Sequence, residues 1–253
     1  MQLHRFYLPP ENCRKDILQL DGREAHHALR VLRLEAGNEA IVLDGAGNEF
    51  SCVVEAAGKD RLSLRVKKRA LIPSLPCSLT LFVGIPKGKI IESIIQKSVE
   101  LGARTIAPLL TERVITRLDK EGAEEKREQW QQVTIEAMKQ CGTAWLPEIK
   151  TPATIDHFLA QKEKAELSLV GSLQKERRHP RQVFREFQES NGRLPQSAAV
   201  WIGPEGDFTP EELKSILDAS AQPISLGRLV LRVETAVIYC LSIMNYELNS
   251  LDE

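Results

Sequence analysis

Residues 200–236 read VWIGPEGDFTPEELKSILDASAQPISLGRLVLRVETA, and two short apolar runs broken by glycine turns organise this stretch. The first run, Ala198 to Ile202, has the length and character of a buried strand and ends in a turn built from Gly203, Pro204, Glu205 and Gly206. Thr209 then caps a helix, with Pro210 at its first position and Glu212 three residues after the cap, the pattern of a capping box. The second run, Pro223 to Leu226, stops at Gly227, and Val230, Leu231 and Arg232 lead into another helix. Strand ends followed by glycine turns are how a parallel α/β sheet holds a small ligand through main-chain groups. Ordinary strand–helix connections use the same residues, so the turns alone leave both readings open.

Before this stretch, Leu167 to Val170 is a further strand closed by Gly171, which gives three strand ends with small residues: Val170-Gly171, Ile202-Gly203 and Leu226-Gly227. Side by side in a sheet they form one crevice lined by backbone N–H and C=O groups, suited to an adenosine-like ligand. The chain lacks GxGxxG after its first strand and lacks GxxxxGK[ST], so neither dinucleotide nor P-loop phosphate binding is supported. Further upstream, Leu79 to Gly84 and Thr105 to Leu110 read as strands. Between them Ile91, Ile94, Ile95 and Val99 form the apolar stripe of a helix over Ile90–Leu101. A charged helix follows from about Glu121 to Gln140, with Trp130, Val133, Ala137 and Met138 as its seam. Leu146 to Ile149 reads as a short edge strand, and Gln174 to Arg181 as an exposed polar stretch. Strands alternating with helices at these lengths predict a mainly parallel α/β domain over 73–253.

Residues 1–72 read differently, as a small β-barrel-like domain. Ala40–Leu43 and Glu49–Glu55 flank the Asp44-Gly45 turn as a hairpin, and Arg61–Lys67 alternates apolar and basic residues. One helix, Glu24 to Leu34, interrupts them and places Ala28, Val31 and Leu32 on one face. His26 and His27 are adjacent, point about 100° apart on a helix and form a cap or packing pair rather than a metal site. Arg5, Arg23, Arg30 and Arg33 make a basic cluster, either a solvated face or a surface that tracks RNA phosphates. Residues 68–77, with two prolines, read as the linker.

Net charge is −1, which excludes a uniformly basic nucleic-acid coat but not a local basic face. Five scattered cysteines without CxxC spacing predict reduced thiols in a cytoplasmic protein, with no disulfide framework and no metal. No run approaches a membrane span, so no membrane partner is expected.

The segments HHALRVLRLEAGNEAIVLDG (26–45), KGKIIESIIQKSVELGARTIAPLLTERV (87–114), KQCGT (139–143), WIGPEGDF (201–208) and LGRLVLRVETA (226–236) resemble those of the RsmE-type 16S rRNA uridine-N3 methyltransferases. The resemblance spans nearly the whole chain in the same order. It implies an N-terminal PUA-like β-barrel for RNA and a C-terminal SPOUT α/β domain with a deep trefoil knot within about 168–245, an exception to the un-knotted rule. It also implies S-adenosylmethionine (SAM) as methyl donor, a homodimer, and a uridine of 16S rRNA, free or in the small ribosomal subunit, as target. Carried over residue by residue, the cofactor loops are Val170, Gly171, Ile202, Gly203, Pro204, Glu205, Gly206, Leu226, Gly227, Val230, Leu231 and Arg232. RNA would meet Arg5, Arg23, Arg30 and Arg33.

The implied reaction moves a methyl directly onto a ring nitrogen, so geometry carries much of the acceleration. Arg232 stays protonated and is cast as a clamp for phosphate or developing charge, not as a base. Glu205 and Glu234 are the candidate proton acceptors, against structural roles as a turn carboxylate and as a helix N-terminal charge. Asp207 stands where the family usually has a second glycine, Arg228 and Leu229 shift an arginine by one position, and Val233 replaces a frequent threonine. Two other readings remain: a related SPOUT enzyme acting on a ribose 2′-hydroxyl or a tRNA guanosine, and a non-catalytic rRNA-binding assembly factor.

Overall fold

The computed structural model describes residues 3–113, 118–161, 164–173 and 176–249. The chain divides into two compact units, the first comprising residues up to Ser74 with Ile135–Leu146, and the second Leu75–Thr134 with the residues from Pro147 onward.

The first unit is built on five strands: β1 (His4–Tyr7), β2 (Ile17–Leu20), β3 (Glu39–Leu43), β4 (Asn48–Ala57) and β5 (Leu62–Leu71). They form one curled half-barrel sheet in the order β1-β3-β4-β5-β2, with β1 parallel to β3 and the other pairs antiparallel. The β3–β4 hairpin is set by Asp44, whose buried carboxylate accepts the N–H groups of Ala46 and Asn48 at 2.8 and 2.9 Å. Phe6, Leu18, Leu20, Val42, Phe50, Leu62 and Leu64 fill the concave side.

Two readings of this region are corrected. The sheet does not stop at residue 67: β5 continues to Leu71, paired with Asn48, because β4 offers it a partner until Pro73 and Pro76 remove backbone donors. The helix over residues 24–34 is shorter than its pattern suggested. It is a single α-helical stretch, α1 (Gly22–His26), passing into a wider π turn over His27–Val31. The extra residue per turn rotates Val31 out of the core, where it is 62% exposed, while Ala28 stays buried. His27 packs edge-on against Phe6 at 6.2 Å, and His26 is exposed.

Residues 135–146 of the same unit carry a buried cation. Lys139 Nζ donates to Glu24 Oε1 at 2.7 Å and to Glu136 Oε1 at 3.0 Å, while Glu24 Oε2 accepts the N–H of Tyr7 at 3.2 Å. A buried ammonium is tolerable only with such partners.

The second unit holds β6 (Ser78–Gly84), α2 (Ile90–Glu100), β7 (Ala103–Leu109), α3 (Lys120–Cys141, whose last turns fall in the first unit), β8 (Glu148–Ile149) and α4 (Ile155–Leu159). It continues with β9 (Leu167–Gly171), α5 (Pro180–Asn191), β10 (Ser197–Ile202), α6 (Pro210–Asp218), β11 (Gln222–Ile224) and α7 (Val233–Asn249). The six strands form an all-parallel sheet in the order β11-β9-β10-β6-β7-β8. Near-continuous burial along β6, β7 and β10 is what a parallel sheet covered on both faces requires.

Helices α4 and α6 and the turn before α6 cover part of one face through Phe158, Ile216 and Phe208, which meet Val170 and Trp201; Phe82 stacks flat on Trp201 at 3.8 Å. Helices α2 and α7 pack on each other and on the sheet. Of the predicted α3 seam, Trp130, Ala137 and Met138 are buried but Val133 only half so, Thr134 and Ile135 taking its place. The polar segment 174–181 is not exposed coil throughout. Pro180 opens α5, whose Val183 and Phe184 are buried, while residues 174–175 lie outside the described residues.

Candidate functional site

The strand order places β9 between β11 and β10, so the three strand ends are neighbours at the carboxyl edge of the sheet; β11 stops at Ile224 rather than at the expected Leu226, so Gly227 lies in the loop beyond it. A cavity of about 280 Å³ opens there. Gly171, Ile202, Gly203, Pro204, Glu205, Leu226, Gly227, Val230, Leu231 and Arg232 all line it, whereas Val170, Gly206 and Glu234 are not among its described lining residues. Val170 is fully buried in the sheet and Glu234 lies in the first turn of α7.

Each wall follows from local chemistry. The turn after β10 closes through the N–H of Asp207 donating to the carbonyl of Pro204 at 2.9 Å. Asp207 itself has φ 58°, the left-handed region that favours glycine, and its Oδ1 accepts the N–H of Phe208 at 2.8 Å. A short polar side chain that bonds locally is what makes this conformation accessible without glycine. Thr209 then caps α6 in a complete capping box, its hydroxyl accepting the N–H of Glu212 while Glu212 Oε2 accepts the N–H of Thr209 at 2.9 Å.

This turn is gripped by the loops of the neighbouring strands. Glu205 Oε1 accepts the N–H of Lys87, beyond β6, at 3.0 Å. Arg113, beyond β7, donates to the carbonyls of Gly206 and Phe208. The other oxygen of the capping carboxylate, Glu212 Oε1, accepts the N–H of Glu112 at 2.9 Å. Gly84, the last residue of β6, lies against Pro204, and a Cβ there would sit 2.6 Å from both its N and Cδ. Glu205 therefore holds a main-chain donor, the position of a turn carboxylate.

On the opposite wall, the N–H of Ser172 donates to the carbonyl of Ile224, and Arg178 bonds through its backbone to Pro223 and Ser225. That pairing sets Arg177 on the cavity wall. The loop after β11 turns at Gly227, φ 107°, and leaves Leu229 and Val230 78% exposed at the mouth. Lining residues outside the loops the motifs pointed to are Leu173, Arg177, Asp207, Val233 and Ala236. Val233 and Ala236 belong to the first turn of α7, where a helical spacing of three was the available signal.

The lining is mixed, with two guanidinium groups (Arg177, Arg232), two carboxylates (Glu205, Asp207) and an apolar patch from Ile202, Leu226, Leu231, Val233 and Ala236. It suits a small amphiphile with an apolar ring system and charged ends, and its volume falls just below the roughly 300–1,000 Å³ usual for small-molecule sites. Among the described residues no group of three or more His, Cys, Asp or Glu is placed to hold a metal ion, and no helix is long and apolar enough to cross a membrane.

The basic residues predicted for RNA all lie in the first unit but differ in state. Arg5 is half-buried with its guanidinium against the backbone of Gly142, Arg23 lies 3.4 Å from Glu136, and Arg30 and Arg33 are exposed.

Comparison with known proteins agrees with this geometry. The family model for an RNA methyltransferase domain matches residues 73–245, and that for an RNA methyltransferase PUA domain matches residues 20–67. Ribosomal RNA small subunit methyltransferase E of Synechocystis sp. is 32% identical over 249 residues, 98% of this chain and 78% of that protein. The chain belongs to the ribosomal RNA small subunit methyltransferase E family. Two structures extend the likeness. A methyltransferase from Legionella pneumophila in complex with SAM is 32% identical with a TM-score of 0.86, over 97% of this chain and 98% of that one. The family's enzyme from Neisseria gonorrhoeae, bound to SAM, is 27% identical with a TM-score of 0.83, over 96% and 97%. The parallel sheet is thus a methyltransferase framework.

Proposed function

We propose that this protein transfers a methyl group from SAM to N3 of a uridine in 16S rRNA. The observation behind the proposal is the cavity formed where the ends of β9, β10 and β11 meet, in a fold whose relatives are solved with SAM. Bound there, SAM supplies an electrophilic methyl on a sulfonium. The apolar wall of Ile202, Leu226 and Leu231 takes the adenine, and Arg177 or Arg232 pairs with the carboxylate end. Transfer forms the N3–methyl bond as the sulfonium–methyl bond breaks with its electron pair staying on sulfur, giving S-adenosylhomocysteine, and the imide proton passes from N3 to solvent water. Arg232, always cationic, stabilises negative charge on the base. Glu205 is occupied by the N–H of Lys87 and positions the turn. Glu234, outside the described lining, contributes charge at the amino end of α7.

The same reading takes residues 1–72 as a PUA-like RNA-binding barrel and 73–253 as the SPOUT domain with its trefoil knot. A supporting observation is that β11 crosses past β9 to the sheet edge before α7 returns to pack on β10 and β6. It takes the protein as cytoplasmic and its active form as a homodimer, the latter supported by the exposed Ile238, Tyr239 and Tyr246 on α7. Light scattering of the purified protein reads the dimer.

Calorimetric titration with SAM and S-adenosylhomocysteine tests the proposal. Saturable binding of both, lost in Gly227→Val, is expected. No binding at high micromolar ligand would leave an RNA-binding protein without turnover.

A further inference from the structure

Five loops leave the carboxyl edge of the sheet around the cavity, after β11, β9, β10, β6 and β7. Among their described residues seven are Lys or Arg and five are Asp or Glu, in a chain whose net charge is −1. Two of the cations are engaged, Arg113 with the carbonyls of Gly206 and Phe208 and Arg178 with Glu186. The other five, Lys87, Lys89, Arg177, Arg228 and Arg232, form no ion pair among the described residues. Elsewhere many cations are paired, as Arg65 is with Glu55, Lys97 with Glu100 and Arg193 with Glu166. Unpaired cations gathered at one rim repel one another, a cost that a polyanionic ligand removes.

Their placement is directional. Lys87 and Lys89 flank Gly88, φ 75°, beyond β6, while Arg228 follows Gly227 beyond β11. β6 and β11 are three strand positions apart, about 14 Å at the usual ~4.8 Å spacing. The cavity mouth lies between them, with Leu229 and Val230 exposed beside it.

We infer that Lys87, Lys89 and Arg228 form a phosphate clamp that holds the single-stranded RNA backbone on both sides of the target nucleotide. The inference rests on the proposed rRNA substrate and places a phosphate-binding surface on the methyltransferase unit itself, in addition to the basic cluster of the first unit. The N–H of Lys87 bonds to Glu205, so the side of the clamp beyond β6 is anchored to the cofactor turn. Replacing the lysine side chain leaves that backbone bond in place. None of the three residues lines the cavity, so their removal spares SAM binding.

The test measures binding of a single-stranded 16S rRNA fragment across a salt series, without SAM, for the wild type, K87A/K89A/R228A and K87R/K89R/R228K. Each phosphate that is no longer neutralised lowers the slope of log K against log salt by about 0.7, so the slope of the triple alanine variant falls by about 2 and the conservative variant keeps the wild-type slope. SAM affinity measured in parallel stays within about twofold, showing the variant folded. An unchanged slope in the triple alanine variant overturns the clamp, as does a slope that falls only in R30A/R33A. Failure of the wild type to bind SAM would contradict the methyltransferase reading instead, and the salt slope decides the clamp in either case.

Discussion

Gly84→Ala is the substitution that probes the cofactor turn most narrowly. The added methyl lands 2.6 Å from the backbone N and the Cδ of Pro204, where ordinary contact begins at 3.4 Å. Those atoms are backbone and ring, so no rotamer change relieves the clash; the turn at 203–206 or the end of β6 must move by roughly 0.8 Å. Overpacking of this kind costs about 1–3 kcal/mol, and for a chain of this size each kcal/mol lowers Tm by about 2–4 °C. The catalytic consequence is larger than the thermal one, because a misplacement near 1 Å in a reacting geometry costs up to ~100-fold in rate. The expected result is a folded protein with Tm a few degrees lower, SAM affinity reduced about 10-fold or more, and methyl transfer reduced further. Calorimetry with SAM, thermal denaturation and a tritiated-methyl transfer assay read the three quantities. Wild-type affinity and turnover in Gly84→Ala would show that the contact with Pro204 does not set the turn.

Other outcomes follow from the same structure. Glu205→Gln keeps an acceptor for the N–H of Lys87 and should hold turnover within about 3-fold with an unshifted pH profile, while Glu205→Ala loses the tie. A loss of ~100-fold or more in Glu205→Gln would assign proton removal to the carboxylate. Burial pushes the thiols of Cys13, Cys77 and Cys240 up to about 12 and that of Cys52 to about 11, so all four stay protonated at pH 8. Native labelling with iodoacetamide should therefore modify Cys141, the exposed one, and denaturant should expose all five; rapid native labelling of more than one thiol would contradict the packing. Thr209→Ala removes the capping hydroxyl of α6 and should cost about 1 kcal/mol, a Tm drop of about 2–4 °C, read by thermal denaturation.

The parallel sheet was legible because its strands are apolar runs and its loops carry glycine, proline and cap residues at the places their turns demand. The capping box at Thr209 follows from those signals, whereas the adjacency of the strand ends near 171, 203 and 227 rests on a strand order that no local pattern gives. What could not be read came from contacts distant in sequence. The grip of Lys87 and Arg113 on the turn joins residues separated by 118 and 93 positions, with no local periodicity to announce it. Arg177 reaches the cavity because the backbone of Arg178 bonds to Pro223 and Ser225, a pairing of loop with strand that no pattern encodes. The π turn at His27–Val31 defeated the helical count for a local reason, one added residue that shifts the face beyond it. Asp207 shows a departure from a motif explained by structure: its left-handed backbone is the one a glycine would favour, stabilised here by its own carboxylate.

The proposed activity comes down to one methyl on one base. Mass mapping of 16S rRNA from a strain lacking this gene, with and without the gene restored, measures it directly. The expected result is a single uridine that loses its N3-methyl and regains it with the wild-type gene but not with Gly84→Ala. An unchanged methylation map, or a methyl missing from a ribose 2′-oxygen or from a tRNA guanosine, would contradict it.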